Sequence, residues 1–335
     1  IIYLMNFKIS PEKTQKIFKN SKKKQIAIVG DVMLDKYVYG EVSRISPEAP
    51  VQVVDVKSAE YKLGGAANVA NNIKTLDAEP VLIGIIGDDI DGDIFLETMR
   101  RQNLNVRGII KDESRPTTSK TRVIAHSQHI LRIDSEVKQN IIGKIANELV
   151  KFFKTNLSGF DSIILQDYNK GVLTKEIIAK IISLCMEAKK KIYVDPKFDN
   201  FFEYKNVTVF KPNRKELQDA LGVRIDGDDS AADIGKKLIE MMKCEWLVLT
   251  RGEKGMMLFE KESGKIFVHN IPTKAIRVAD VSGAGDTVIS TLAVSMAGGA
   301  NIREAIILAN HAAGLVCEEV GIVPIYKKNL IESVA

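Results

Sequence analysis

Six short apolar runs constrain this chain more than any other feature. Residues 26–29, 81–86, 162–165, 192–194, 207–210 and 246–249 are almost free of polar side chains. A strand with one wet face alternates polar and apolar residues. A run without alternation is buried on both faces, as parallel strands under helices are. Stretches with helical spacing lie between many of these runs. Residues 174–190 place Ile177, Ile178, Ile181, Ile182 and Cys185 on one face, and 143–154 have the same character. Strand alternating with helix predicts an α/β fold, an open and mostly parallel sheet flanked by helices.

Two segments leave that rhythm. Residues 36–57 hold Tyr37, Val38 and Tyr39, then SRISPEAP, then Val51, Val53 and Val54. Residues 117–134 hold Thr118, Thr121, Val123, Ile130, Leu131 and Ile133 with no helical stretch between them. Both are expected to be hairpins that pair into a small β-sheet, placed to cover a site as a lid or to join two copies of the chain. No internal repeat or low-complexity linker is present, so the two parts are interleaved. The expected organisation is a basic N-terminal arm over 1–24, one domain over 25–325 with lid insertions at 36–57 and 117–134, and a C-terminal tail over 326–335.

With 335 residues, 45% of them hydrophobic and 27% charged, the chain can bury a large core, which excludes a wholly disordered protein. Its net charge of +5 comes from one place. Seven lysines and a single acid, Glu12, fall in residues 1–24, and the remainder nets −1. The arm is therefore read as solvated and partly helical, and nucleic acid is not an expected partner. Cys185, Cys244 and Cys317 are far apart, odd in number and without zinc-ligand spacing. Buried thiols in a reducing cytoplasm account for them. No apolar run approaches the roughly 18–20 residues that cross a bilayer, so no membrane partner is expected. The first residues carry no plausible leader cleavage site.

The ends of the apolar runs are polar. Asp31 follows the first, Asp88 the second, Gln166-Asp167 the third and Asp195 the fourth. Lys211 and Asn213 follow the fifth, and Thr250-Arg251-Gly252 the sixth. Open α/β sheets bind ligands beyond the carboxyl ends of their strands. Any one of these residues would suit a strand-to-helix turn for local reasons. Six sets in one chain point to a polar site.

The sharpest motif is Asp280-Val281-Ser282-Gly283-Ala284-Gly285-Asp286-Thr287, followed by a helical run through Ala297. Two glycines and an alanine at a helix start leave backbone N–H groups uncovered, an anion hole aided by the helix dipole. Asp286 falls in that first turn, where it would accept a proton from an attacking hydroxyl. The bland alternative is a carboxylate that only stabilises the helix start.

DVSGAGDT resembles the C-terminal signature of the ribokinase-like (PfkB) carbohydrate kinases, in which this aspartate is the catalytic base. LGGAANVA at 63–70 resembles the family's other signature, whose glycine pair and asparagine bind sugar hydroxyls. The resemblance covers residues 25–325 and implies a ribokinase-like sheet, ATP and Mg²⁺ as cofactors, and a monovalent cation as an optional one. Within the family, GDVMLDKYVYGEVSRISPEAPVQVV (30–54), QDYNKGVL (166–173) and KPNRKE (211–216) are similar to one group. These are the bacterial kinases that phosphorylate D-glycero-β-D-manno-heptose 7-phosphate on the way to ADP-heptose and lipopolysaccharide core. Many members of that group are fused to a nucleotidyltransferase. The sequence ends at Ala335, so a separate nucleotidyltransferase is expected unless the sequence is a fragment.

Site roles follow from the resemblance. Asp286 is the expected base, with the amides around Gly283, Ala284 and Gly285 as anion hole. Asn213, Arg214, Lys215 and Glu216 are expected near the ATP phosphates, with Asn213 and Glu216 organising Mg²⁺ through water, as a hard cation that retains its waters allows. The alternative for that pair is a capping asparagine followed by glutamate at the third helical position. Thr250, Gly252 and Gly255 are expected along the nucleotide, or else form a plain turn. Asn310 is expected at the adenine or ribose; His311 fits that place and an ordinary helix position equally.

Asp35, Gly64, Gly65 and Asn68 are the expected sugar ligands. Asp167 is a further candidate that would otherwise cap the segment after it. The 7-phosphate calls for a cation, preferably a guanidinium. Arg44, Arg122, Arg132, Lys170 and Lys197 are available, with Arg44 the first to test. His126 and His129 are read as hairpin surface residues. Exposed lid edges favour a homodimer.

Rival readings are the same chemistry on ribose, a fructose phosphate or a nucleoside, and a non-catalytic sugar-binding regulator, against which the intact GAGD motif argues. No GxGxxG follows the first strand and no Walker A motif is present, which excludes a nicotinamide oxidoreductase and a P-loop kinase.

Overall fold

Side chains of the first apolar run go alternately to two cores, Ile26 and Ile28 to one and Ala27 and Val29 to the other. A sheet covered on both faces follows directly. The computed structural model describes residues 2–4, 8–126, 128–275, 277 and 279–334. Its strands are β1 (Ile2–Leu4), β2 (Gln25–Gly30), β3 (Val32–Ile45), β4 (Gln52–Gly65), β5 (Glu79–Gly87), β6 (Ile109–Asp112), β7 (Ser119–Ala125), β8 (Gln128–Ser135), β9 (Ser162–Gln166), β10 (Lys191–Asp195), β11 (Val209–Phe210), β12 (Trp246–Thr250), β13 (Met256–Glu262) and β14 (Lys265–Ile271). Its helices are α1 (Pro11–Ser21), α2 (Ala66–Thr75), α3 (Ile90–Arg101), α4 (Gly143–Asn156), α5 (Lys175–Glu187), α6 (Arg214–Leu221), α7 (Gly227–Met242), α8 (Ala284–Ala297), α9 (Ile302–Cys317) and α10 (Lys327–Ser333).

The larger sheet runs β1-β14-β13-β12-β11-β10-β9-β2-β5-β6, and every pair from β12 to β6 is parallel. Helices α1, α2, α3, α8, α9 and α10 cover one face, and α4 to α7 cover the other. The expected open, mostly parallel α/β sheet flanked by helices is present.

Two features escaped the sequence reading. β12, β13 and β14 form an antiparallel meander, in which Ser263 and Gly264 turn the chain with φ of 50° and 76°. Two residues with positive φ mark the tight hairpin turn that suits the twist of its strands. The Ser-Gly pair was the available signal.

The second is the N-terminal segment. α1 is present, capped by Ser10, which accepts from the Lys13 amide at 3.2 Å. It is not a solvated arm, since Ile17 and Phe18 are 2% and 1% exposed and pack into the core with α8. Its lysines occupy the outer face of an amphipathic helix, so the charge count concealed the apolar stripe. The tail is packed as well, through Leu330.

The smaller sheet has the order β4-β3-β7-β8, two antiparallel hairpins joined by the parallel pair β3–β7. Its base is buried at Val32–Asp35 and its tip is open to solvent, Ile45 being 67% exposed. β4 runs directly into α2 through Gly65, whose φ is 59°. Phe18→Ala is expected to lower stability by about 3–5 kcal/mol, read as a drop in the urea midpoint; an unchanged midpoint would mean that α1 is not part of the cooperative fold.

Candidate active site

The carboxyl ends of β2, β9 and β10 lie side by side, with Gly30 in register with Gln166 and Gln166 with Asp195. The start of α8 packs against them. Asp286, the third residue of α8, is 4% exposed and sits at this junction. Three donors from separate places hold its carboxylate. Asn68 of α2 gives Nδ2–H to Oδ2 at 2.7 Å, while Gln166 Nε2 at 3.1 Å and the Tyr168 hydroxyl at 2.7 Å both give to Oδ1. Burial raises its pKa to about 6. The Asn68 and Tyr168 donors pull the other way, Asp195 adds to the rise and Lys211 opposes it. A carboxyl poised there is ionised at neutral pH yet basic enough to take a proton.

A polar chain leads away from it. Gln166 also donates to Asp195 Oδ2 at 3.1 Å, and the buried Lys211 ammonium lies 2.9 Å from Asp195 Oδ1. Lys211 faces the helix start, because a Cβ at Gly285 would lie 3.5 Å from its nitrogen. Gly283 caps α8 at φ 80°, a conformation that favours glycine, and a Cβ there would come within 3.0 Å of the Asn68 amide. The Ala284 amide turns back to the Val281 carbonyl at 3.2 Å. Gly285 and Asp286 then supply the helix-start amides that have no acceptor one turn earlier.

From this centre a cleft of about 670 Å³ extends along β11 and β12, within the size range of small-molecule sites. Asn213, Glu216, Thr250, Gly252, Gly255 and Asn310 all line it, with Gly283 to Asp286 at its inner end. Asn213 and Glu216 form a full capping box for α6, exchanging two bonds of 2.8 Å, and Lys197 pairs with the other Glu216 oxygen. Among the described residues no group of three His, Cys, Asp or Glu would grip a metal directly. The oxygens of Asp195, Asn213 and Glu216 are hard donors already engaged by hydrogen bonds, a set that fits Mg²⁺ only with its waters retained. Ala275, Ala313, Gly314 and Cys317 add apolar lining to the cleft beside Asn310, which donates to the Pro272 carbonyl at 2.7 Å.

On the lid side, Asp35 of β3 is 1% exposed. One of its oxygens pairs with Arg122 of β7, and among the described residues the other has no hydrogen-bond partner. That orphan is sheltered by Gly64, where a Cβ would lie 2.2 Å from it. Tyr37 sits between two cations, with Lys62 and Arg122 each 5.1 Å from its ring centroid.

Four expectations are corrected. Arg214 and Lys215 do not line the cleft: Arg214 bonds Gln218 and the Ile225 carbonyl, and Lys215 is exposed, because successive helical residues point in different directions. Asp167 faces inward. Its oxygens accept from the Asn169 amide at 2.8 Å and the Tyr204 hydroxyl at 2.7 Å, and burial, with Asp31 nearby, raises its pKa to about 6. Arg44 lies exposed nine residues beyond Asp35 on β3, on the order of 30 Å away at strand spacing.

Among the remaining residues, His311 is half-buried, its pKa lowered by burial and by Lys274, and it does not line the cleft. His126 sits in the β7–β8 turn. Asp88 pairs with Lys111 away from the site. Arg251 lines the cleft and is held by Asp228, 23 residues earlier, a partnership with no local signal.

Comparisons with known proteins agree with this geometry. The family model described as pfkB family carbohydrate kinase matches residues 23–328. The "Bifunctional protein HldE" of Desulfatibacillum aliphaticivorans is 43% identical over 297 residues, 89% of this chain and 60% of that protein. Its counterpart in Geobacter sulfurreducens is 42% identical over 294 residues, 88% and 59% respectively. The chain thus spans about three fifths of the length of these curated relatives. Among solved structures, Arabidopsis thaliana ribokinase complexed with ribose and ATP superposes with a TM-score of 0.71 at 19% identity, covering 93% of this chain and 99% of that one. Escherichia coli phosphofructokinase-2 in complex with potassium gives 0.74 at 16%, covering 93% and 98%. These two establish the fold.

Gly64→Ala is expected to displace Asp35 and lower stability by about 1–3 kcal/mol, the usual cost of overpacking. Urea denaturation checks it, with Gly159→Ala, whose Cβ would meet only the Gln25 side-chain oxygen at an ordinary 3.5 Å, as the control for the loss of a glycine alone.

Proposed function

The chain belongs to the pfkB family of carbohydrate kinases, and on that premise we propose that it transfers the γ-phosphoryl group of ATP to the C1 hydroxyl of D-glycero-β-D-manno-heptose 7-phosphate. The observation that carries the reading is the buried Asp286 carboxylate at the start of α8, at the inner end of a nucleotide-sized cleft and bonded to Asn68 of the LGGAANVA segment. The heptose assignment is supported by segments 30–54 and 166–173 and by the HldE relatives.

In this reading Asp286 takes the proton of the C1 hydroxyl, the C1 oxygen bonds to the γ phosphorus, and the bond from that phosphorus to the bridging oxygen breaks to release ADP. Lys211 and the helix-start amides of Gly285 and Asp286 stabilise the charge gathering on the transferred group. Mg²⁺, held through water by Asn213 and Glu216, would neutralise the phosphate oxygens of ATP. A monovalent cation is an additional expectation from the family. Asp35 and Asn68 orient the sugar hydroxyls, and the lid excludes water.

Arg122, at the base of the lid, is the guanidinium within reach of a sugar phosphate beside Asp35, and it replaces Arg44 in that role within one protomer. The exposed apolar tip of the lid, including Ile45, Val51 and Val56, supports a homodimer. No helix among the described residues is long and apolar enough to cross a membrane. We place the enzyme in the cytoplasm, where ATP is available, with its bisphosphate product losing the 7-phosphate by hydrolysis before a nucleotidyltransferase activity uses the 1-phosphate.

Coupled ADP release tests the assignment. Turnover is expected with the heptose 7-phosphate and not with ribose, fructose 6-phosphate or adenosine, and preference for any of the latter overturns the substrate. Asp286→Asn is expected to keep ATP and sugar binding while turnover falls at least about 100-fold. In the wild type, kcat is expected to fall about tenfold per pH unit below about pH 6, where the Asp286 carboxylate becomes protonated. Arg122→Met is expected to raise KM for the sugar phosphate by about tenfold or more, the loss of a charge-assisted contact, and to leave KM for ATP unchanged.

A further inference from the structure

Tyr168 belongs to the QDYNKGVL segment, and the chemistry above gives it no role. Its hydroxyl lies 2.7 Å from Asp286 Oδ1, and its ring borders the cleft with the Lys197 ammonium 5.6 Å from the ring centroid. The backbone under it is fixed. The buried Asp31 carboxylate accepts from the amides of Tyr168 at 2.8 Å and of Lys170 and Val172 at 3.1 Å each. A phenol anchored in this way can aim its single proton at one acceptor only.

We propose that Tyr168 is a positioning residue for the catalytic base, its hydroxyl fixing Asp286 Oδ1 so that the carboxylate presents one remaining lone-pair site to the acceptor hydroxyl. An ionised carboxylate offers about four acceptor sites. Asn68, Gln166 and Tyr168 fill three of them. The fourth is left for the proton in transfer, and its direction is set because donors from two separate segments, α2 and residues 166–168, prevent the carboxylate from turning.

The donors divide their work. Asn68 also packs against Gly283, where a Cβ would come within 3.0 Å of its amide nitrogen, and Gln166 also bridges to Asp195, so changing either disturbs more than the base. The Tyr168 hydroxyl donates to the base itself. Because a donor to the ionised form favours ionisation, removing it must raise the pH at which Asp286 protonates. The other charged groups facing Asp286 are Asp195 at the end of β10 and Lys211 after β11, with Lys197 farther along the cleft, and Tyr168→Phe leaves all of them in place.

The inference rests on the kinase reading, and the experiment separates the two. ADP release by the wild type and Tyr168→Phe is measured from pH 5 to pH 8.5 at saturating substrates. In parallel, the Asp286 carboxyl carbon is titrated by NMR in both substrate-free proteins. The acid limb of Tyr168→Phe is expected to move up by roughly one pH unit. Its rate deficit, about tenfold on the acid side, closes toward pH 8.5, with both KM values within about twofold of wild type. A purely structural role would lower the rate by one factor at every pH.

Replacing Tyr168 with 3-fluorotyrosine, a stronger donor on the same ring, is expected to move the limb down, and it keeps the test open if the Phe variant folds poorly. Superimposable limbs, or an Asp286 carboxyl that titrates at one pH in wild type and variants alike, overturn the proposal. A wild type that turns over no sugar overturns the kinase reading, while the NMR titration still decides the role of Tyr168.

Discussion

Everything at this site depends on keeping one carboxylate buried and ionised at the start of α8. Removal from water disfavours the charge of Asp286, and the helix start together with three hydrogen-bond donors favours it. The balance leaves a folded pKa of about 6 against 3.8 for the free group. Since the folded state binds the proton more tightly, ionising Asp286 costs stability as pH rises through that window. The ionised carboxylate is thus maintained at the expense of the fold, and the cores on both faces of the sheet must offset the cost.

A second buried carboxylate makes the first possible. Asp31 makes no contact with the cleft, yet its three bonds to the amides of Tyr168, Lys170 and Val172 shape the loop that carries a donor to Asp286. The adjoining strands must approach closely for this, since a Cβ at Gly30 would lie 1.9 Å from the Gln166 carbonyl oxygen. Asp167 secures the same loop from below through Tyr204. Two acids that looked like ligand groups in the sequence are therefore scaffolding for their neighbours.

The lid divides along its length by burial. Its base, from Val32 to Asp35, is part of the core and carries the buried Asp35 carboxylate, and its tip is exposed and apolar. The Arg122–Asp35 pair joins the second hairpin to the first at the buried end. Any movement of the lid must carry that pair with it. Gly64 matters here for what it lacks, because a side chain at that position would occupy the space of the Asp35 oxygen.

The sequence by itself determined the parallel part of the sheet, most of its helical cover, the two hairpins of the smaller sheet and the place of Asp286 at a helix start, because periodicity and the GAGD turn are local properties of the chain. It also placed Asn213 and Glu216 together, since a capping box spans only four consecutive residues. Only the tertiary structure decided which strand-end residues share one cleft and which turn away. Asp195 ends β10 in register with Gln166, and Asp167 is the next residue after that partner, yet Asp167 is locked inward by Tyr204 while Asp195 pairs with Lys211. The donors to Asp286 come from positions 118, 120 and 218 residues distant in sequence. Contacts between residues so far apart leave no period or spacing in the chain, and they exist only once β2, β9, α2 and α8 have packed.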